Sequence, residues 1–440
     1  MCSSRGIKSR VHHNMDTQSG SHIFSIRARE ILDSRATPTV EATVVLESGY
    51  RGTVSVPSGA SVGKYEAVEI RDKDENRYHG LGVLTAIQNI HTSIAPHLRG
   101  KDVLNQYEID KTMIDLDGTQ NKSKLGANAV LAVSLSVCAA ASQFSRIPLY
   151  RYINQMITSQ FPITIKRIPI PLFNMINGGK HGAGNLNFQE FLVIPPSNSL
   201  FRDALIRGVE TYKAIKQILE YRNAIHSLGD EGGFAPNLFT NEDALEILNE
   251  AVRSNNQQIG RDIFLGMDVA ASHFKTEKGY SIKDRPTPYS TKEFISYFQN
   301  IYQKYRFLLL EDPIDEDDWA GWQEIIKELG NETLIVGDDL IASNYKRLEQ
   351  AIRSKACGAV ILKPNQIGTL SELLSTVTLA KKNDIKCIVS HRSGETNDTF
   401  IADLSVGIQS EYVKFGAPAR GERVAKYNRL SQIEDEIVPV

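Results

Sequence analysis

Six short apolar runs in the second half of this 440-residue chain each end in residues able to do chemistry. IFLGMD (263–268), RFLLLED (306–312) and TLIVGDD (333–339) deliver Asp268, Glu311 and Asp338. AVILKPN (359–365) delivers Lys363, CIVSHRSG (387–394) delivers His391, Arg392 and Ser393, and YVKFGAP (412–418) delivers Lys414. A single acid at a loop start is usually just solvated. Three carboxylates gathered in one place repel one another unless a cation lies between them, and oxygen donors without Cys or His suit Mg²⁺ better than zinc. Lysine is almost never fully buried without a purpose, and Pro364 biases Lys363 towards the extended backbone of a strand end. Two ammonium groups near each other and near a metal are expected to have lowered pKa values, which turns a lysine into a usable base. Arg392 and Ser393 offer planar donors and a hydroxyl to an anion such as phosphate. Glu231, in the turn-forming GDEGGFAPN (229–237), and Glu190, which ends Phe188-Gln189-Glu190, are candidates for acid work on a leaving hydroxyl. The acids Asp315 to Asp318 of EDPIDEDDW read as a solvated surface loop.

These residues recur with a beat. Glu311, Asp338, Lys363, His391 and Lys414 follow one another at steps of 27, 25, 28 and 23 residues, each the length of a strand plus a returning helix. That is the pattern of a β/α barrel, whose active site lies where the C-terminal strand ends converge. The start of the region breaks the pattern. IPIPLFNMING (168–178) and FQEFLVIPP (188–196) are too close for a crossover helix, so they should pair antiparallel and open an irregular barrel as ββα. A long helix over 199–222 follows, and another begins near Thr240, whose spacing to Asp243 resembles a capping box. Ahead of the barrel, residues 23–150 read as a smaller α+β capping domain. Two alternating runs flank the turn Glu47-Ser48-Gly49 as a hairpin, and Val83, Leu84, Ile87, Ile90 and Ile94 recur at helical spacing. The expected fold is therefore α/β, with a disordered extension over 1–22 and a catalytic barrel over 160–440.

Bulk composition narrows the partners. The chain is 41% hydrophobic and 23% charged with a formal net charge of −2, which gives no reason to expect nucleic acid or an anionic membrane. Cys2, Cys138, Cys357 and Cys387 are scattered without metal-type spacing, as in a reducing compartment, so a cytoplasmic location is expected. ANAVLAVSLSVCAAASQF (127–144) reads as a tightly packed core helix rather than a membrane span. VPSGASVGKYEA (56–67) is one residue short of a P-loop and NGGKHGAGN (177–185) has no G-x-G-x-x-G after a strand, so ATP and NAD cradles are rejected. Both stretches read instead as glycine-hinged lids over the barrel mouth.

From about Ile23 to Ile437 the chain resembles the enolase family, through DSRATPTVE, VPSGAS, DGTQNKSKLGANAV, NGGKHGAGNLNFQEF, GDEGGFAPN, LEDP, GDD, LKPNQIGTLSE, SHRSGETNDTFIADL and KFGAPARGER. The resemblance implies a cytoplasmic homodimer that dehydrates 2-phosphoglycerate to phosphoenolpyruvate in glycolysis, with two Mg²⁺ per active site. It implies Asp268, Glu311 and Asp338 as ligands of the first Mg²⁺ and Ser61 as a helper for the second. Lys363 would be the C2 base, Lys414 a stabiliser of the carboxylate dianion, and Glu231 with Glu190 the acid for the C3 hydroxyl. His391, Arg392, Ser393, Gln189 and His181 would complete the pocket. Two departures stand out: Ala36 in place of the family's usual Gly, and His273 in place of a common Glu. A non-catalytic structural or plasminogen-binding role is the alternative; structural recruitment would tolerate losses among the site residues, and none is lost.

Overall fold

The computed structural model describes residues 20–59, 63–182 and 186–437. The first strands, β1 (Ile23–Leu32), β2 (Pro38–Leu46) and β3 (Arg51–Ser55), form an antiparallel meander, and the β2–β3 turn falls at the expected hairpin. Helices α1 (Leu84–Asn89) and α2 (Ala95–Leu98), joined by a π-turn, and then α3 (Gln106–Asp117), α4 (Ala127–Ser145) and α5 (Leu149–Thr158) follow. Val40, Ala42, Val44 and Leu46 alternate along β2 and are buried, as expected of a half-buried strand. The Ala- and Ser-rich α4 comes so close to β3 that a Cβ at Gly52 would run into its backbone, and Ser136 Oγ donates to Ala42 O at 2.8 Å. Among the described residues α4 is the helix long and apolar enough to cross a membrane, and 83% of that stretch is buried inside the protein. The small side chains are what allow this core position.

The barrel begins with β4 (Ile170–Pro171) and β5 (Phe173–Asn177), continues through β6 (Glu190–Ile194), α6 (Phe201–Tyr221), α7 (Asn241–Ser254) and β7 (Phe264–Asp268), and carries a small hairpin β8 (Lys275–Thr276) and β9 (Gly279–Tyr280). It proceeds through α8 (Thr291–Tyr305), β10 (Leu309–Glu311), α9 (Trp319–Leu329), β11 (Leu334–Gly337), α10 (Tyr345–Ser354), β12 (Ala359–Leu362) and α11 (Pro364–Ile367). It ends with α12 (Leu370–Lys382), β13 (Lys386–Ser390), α13 (Phe400–Gly407), β14 (Tyr412–Lys414) and α14 (Gly421–Ile437). β4 and β5 are two halves of one strand broken at Leu172. β4 pairs parallel with β14 and β5 antiparallel with β6, which closes the sheet. β6 also runs antiparallel to β7, and every later pair in the barrel is parallel. The ββα opening is thus confirmed, and Thr240 and Asp243 form the capping box of α7.

Side chains alternate across each strand, and this decides which residues reach the mouth. Leu192, Leu309, Val336, Ile361 and Tyr412 pack on one another inside the barrel with Ile170, Leu172, Ile194, Ala359 and Ile388. Two positions from an inward residue lies another inward residue. Glu190, Glu311, Asp338, Lys363 and Lys414 stand at that spacing from the first five, and Asp268 at that spacing from Gly266, the partner of Leu309. The intervening Leu310, Val360, Leu362, Val389 and Val413 belong to the outer core beneath the helices.

The expected disorder over 1–22 needs correction at its end; residues 1–19 lie outside the described set. Ser21 is buried and its carbonyl accepts from Val103 N, while His22 O accepts from Glu47 N, so residues 20–22 are tied into the small domain. That domain rests on the barrel through polar contacts. Asp110 of α3 accepts from Ser371 N and Ser371 Oγ, at 2.9 and 2.6 Å, in the first turn of α12. Ser34 N donates to Glu395 O, and the turn 33–37 is closed by Asp33 Oδ1, which accepts from Arg35 N and Thr37 N at 2.8 Å each.

Two outcomes follow from these contacts. Ala36 sits at φ = 57° and is exposed, a left-handed conformation that an L side chain resists and glycine does not. Ala36→Gly should therefore raise stability by roughly 0.5–1 kcal/mol, read as a higher urea midpoint at constant slope. Burial raises the Asp110 carboxyl from 3.8 to about 6, partly opposed by the Ser371, Ser134 and Gln106 hydrogen bonds. The folded chain thus holds that proton more tightly than the unfolded one, so this contribution to stability is complete at low pH and is lost as pH rises through about 6. Relative to Asp110→Asn, wild type should lose roughly 2–3 kcal/mol between about pH 4 and 7 by urea unfolding.

Candidate active site

Carboxylates and ammonium groups meet at the barrel mouth. Lys414 Nζ lies 2.8 and 2.9 Å from the two oxygens of Glu311, 3.0 Å from Asp268 Oδ2 and 3.3 Å from Glu190 Oε1. All four side chains are buried. Glu190 stands first in its strand, not last; because β6 is antiparallel, its start lies at the same mouth as the ends of β5 and β7, where it pairs with Asn177 and Asp268. Lys363 Nζ is ion-paired with Asp338 Oδ2, and Asp338 Oδ1 accepts from Gln366 Nε2 at 3.0 Å. Asp312 accepts the backbone amides of Asp338 and Asp339, each at 2.8 Å, and so fixes the start of the loop after β11. Gln189 Nε2 reaches Asp268 Oδ2 at 3.5 Å.

The expected triad of metal ligands is shared between these two lysines. Lys414 holds Asp268 and Glu311 while Lys363 holds Asp338. Among the described residues the groups whose ligand atoms lie within 4.8 Å of one another are Asp312–Asp338–Asp339 and Glu190–Glu231–His391. The donor set nevertheless fits a hard divalent cation. Burial, with Asp268 next, pushes Glu311 well above the ordinary carboxylate range; burial, with Glu231 next, does the same to Glu190. Burial and Asp338 push Asp339 up to about 7. The mouth holds more buried negative charge than its two lysines neutralise.

Lowered lysine pKa values are expected beside a metal; the protein's own side chains act in the opposite direction. Burial is the largest influence on Lys363 and pulls it down, as do Arg392 and Lys414, but the carboxylates around it, Asp338 foremost and then Glu311, leave it above its ordinary value. Burial likewise pulls Lys414 down, and Asp268, Glu190 and Glu311 lift it well above. The nearest charges to each ammonium are anions, not the other lysine.

Beside this cluster, Glu231 Oε2 accepts from Asn174 Nδ2 at 2.8 Å, and Glu231 Oε1 faces His391 Nε2 at 3.6 Å. Arg392 is 5% exposed and bound by the other domain: Nη1 and Nη2 donate to the Glu66 carboxylate at 2.8 and 3.2 Å, and Nη1 also to Asn365 Oδ1 at 3.1 Å. A Cβ on Gly59 would strike this guanidinium, which explains the glycine there. Ser393 joins Gln189, Glu190, Glu231, Lys363, His391, Arg392 and Lys414 in lining one small pocket. A wider crevice of ≈ 620 Å³, between the C-terminal end of α3 and the starts of α10 and α12, holds none of these groups. Ser61 lies outside the described residues, and of His181 only the backbone is described, in a 3₁₀ turn over Gly179–His181.

Several working residues were not singled out from sequence. Asn365 and Gln366 follow Lys363-Pro364 directly, and Asp312 adjoins Glu311, so position could have flagged them. Glu66 and Arg423 lie inside the quoted stretches VPSGASVGKYEA and KFGAPARGER, but neither they nor Asn174 stand out by type or spacing. Nor are Asp315 to Asp318 simply solvated: Asp317 binds Lys64 Nζ at 2.9 Å and Tyr65 Oη at 2.5 Å, Asp318 caps α9, and Asp315 O accepts from Trp322 Nε1.

An eight-stranded β/α barrel with acids and lysines gathered at its mouth, walled by a smaller α+β domain, defines a barrel enzyme working at its C-terminal face. A family model described as enolase, C-terminal TIM barrel domain, matches residues 165–439, and one described as enolase, N-terminal domain, matches residues 23–153. The chain belongs to the enolase family. That family comprises metal-dependent lyases, and its membership points to phosphorylated small molecules as substrates.

Lys414→Met should leave Glu190, Asp268 and Glu311 without their shared counter-ion and cost about 3–5 kcal/mol of stability. Scanning calorimetry of the two proteins with and without Mg²⁺ should show a lower Tm for the variant and a larger rise on adding the metal.

Proposed function

We propose that the protein catalyses the reversible dehydration of 2-phospho-D-glycerate to phosphoenolpyruvate, the phosphopyruvate hydratase reaction of glycolysis. The observation that carries this reading is that a lysine and a carboxylate suited to base and acid, Lys363 and Glu231, line one pocket with the anion-binding Arg392 and Ser393. Lys363 takes the proton from C2, and Glu231, oriented by Asn174 and supported by Glu190, gives one to the departing C3 hydroxyl. Arg392, preset by Glu66 and Asn365, holds the phosphate together with Ser393, and Lys414 places fixed positive charge where the substrate carboxylate gains electrons. Asp268, Glu311 and Asp338 would hold the first Mg²⁺ and Ser61 would contribute to a second. When bound, the metal supplies charge stabilisation for that developing dianion. Asp338 is the counter-ion that keeps Lys363 protonated. A metal held by Asp338 would share that counter-charge, which would lower the Lys363 pKa towards what a base requires. Gln189, His181 and His391 complete the pocket. A homodimer is proposed from the family resemblance, and a cytoplasmic setting from the scattered cysteines; Cys138, Cys357 and Cys387 are buried free thiols.

Ultraviolet detection of phosphoenolpyruvate tests the reading. Wild type with Mg²⁺ should turn over 2-phosphoglycerate and stop on chelation. Lys363→Ala and Glu231→Gln should each lose at least about 10²–10⁴-fold. Glu231→Gln should still exchange the C2 proton with solvent, whereas Lys363→Ala should not. No turnover by folded, Mg²⁺-replete wild type would overturn the assignment.

A further inference from the structure

We infer that Arg423 is a positioning residue: it fixes His391 as a neutral imidazole with its proton on Nε2, the nitrogen that faces Glu231. Its consequence for catalysis rests on the reading of Glu231 as the acid.

Arg423 lies on α14 and is 0% exposed. Its Nη1 stands 2.7 Å from His391 Nδ1. A guanidinium donates through five N–H groups and accepts nothing, so this contact is a hydrogen bond only when Nδ1 offers its lone pair. The remaining proton of a neutral ring must then sit on Nε2. An imidazolium would bring N–H against N–H. On the other side of the ring, Nε2 makes no hydrogen bond among the described residues and stands 3.6 Å from Glu231 Oε1. The donor therefore points at the carboxylate and the space beside it.

Arg423 cannot readily turn away. Nη1 also donates to Arg392 O at 2.6 Å, and Nη2 to Ser393 O at 2.7 Å and Asp230 O at 3.1 Å. One side chain thus joins the 391–393 segment to the loop that carries Glu231. Those carbonyl bonds would serve any structural clamp. The bond to Nδ1 is different, because it selects one tautomer.

The groups facing the ring agree. Glu231 comes from the loop after α6, Glu190 from β6, Lys414 from β14, and Arg423 and Lys426 from α14. Burial comes first in driving His391 well below its ordinary value, and the three cations oppose the pull of Glu231. The imidazole then serves as a donor that adds no charge beside the acid and does not titrate where the enzyme works.

Nitrogen-15 spectra of histidine-labelled protein, with His391 assigned through His391→Gln, test this without substrate. Between about pH 5.5 and 8, wild-type His391 should show an unprotonated Nδ1, a protonated Nε2 and no titration. A protonated Nδ1, or a ring titrating in that range, would overturn the inference. In Arg423→Met the ring should populate both tautomers or titrate, and turnover at the acid end should fall about tenfold more than in wild type for each pH unit below the new pKa. Arg423→Lys, which also only donates, should keep the wild-type tautomer and pH profile. An equal, pH-independent loss in both variants with the tautomer unchanged would reduce Arg423 to a clamp and sink the proposal. If Arg423→Met does not fold, the wild-type spectra alone decide. A wild type inactive on 2-phosphoglycerate would defeat the proposed reaction and leave the tautomer result standing.

Discussion

The buried ammonium of Lys414 makes the rest of the barrel mouth possible. Glu190 and Asp268 are direct cross-strand partners, an arrangement that like charges make unfavourable, and Glu311 joins them from the next strand over. Lys414, one cation within 3.3 Å of all three carboxylates, binds the mouth together. The compensation is incomplete. Glu190 and Glu311 are still displaced towards their neutral forms. A site built this way gives up stability for a strong demand for positive charge, and that demand is the physical basis for a metal.

The second wall of the site belongs to the smaller domain. Glu66 is 326 residues from Arg392 in sequence, yet the two form a buried, two-pronged ion pair. Asp33 accepts from Ser58 Oγ at 2.5 Å, Ser58 pairs with Gly394 as an isolated bridge, and Ser34 Oγ donates to Ser393 O. The guanidinium proposed to meet phosphate is therefore preset in part by a carboxylate that the barrel does not supply. Preorganised donors avoid paying reorganisation at the moment of reaction. The small domain is structurally a part of the active site, not an appendage to it.

Much of this was legible because a barrel strand encodes direction in parity. An apolar inward residue followed two positions later by Asp, Glu or Lys specifies both the face and the end of the strand, and Asp268, Glu311, Asp338, Lys363 and Lys414 are all found where that rule places them. Partner identity follows no such rule. Arg423, Glu66 and Asn174 reach their targets through tertiary packing, and nothing periodic marks them. The direction in which the side chains alone shift the lysines was hidden for the same reason. It depends on which charge is nearest, and Asp338 is nearer to Lys363 than any cation. Ala36 was recognised as a departure from the family pattern, but its cost was invisible until its φ was known.

The antiparallel β6 shows how tightly chemistry is tied to topology here. In a regular barrel a strand presents its last inward residue at the mouth. With β6 reversed, the mouth receives its first, so Glu190 emerges directly from the loop that carries Gln189 and follows the Gly179–His181 turn. One strand reversal thus brings the loop carrying Gln189 and a buried carboxylate to the same edge. Register makes the arrangement unforgiving. Sliding β6 by one residue against β7 would turn Glu190 outward into the apolar layer under the helices and bring Phe191 inward beside Lys414. The cross-strand pairing of Glu190 with Asp268 and the position of Lys414 between them are therefore a single constraint: the register that buries Leu192 and Ile194 in the barrel also sets the acid in place.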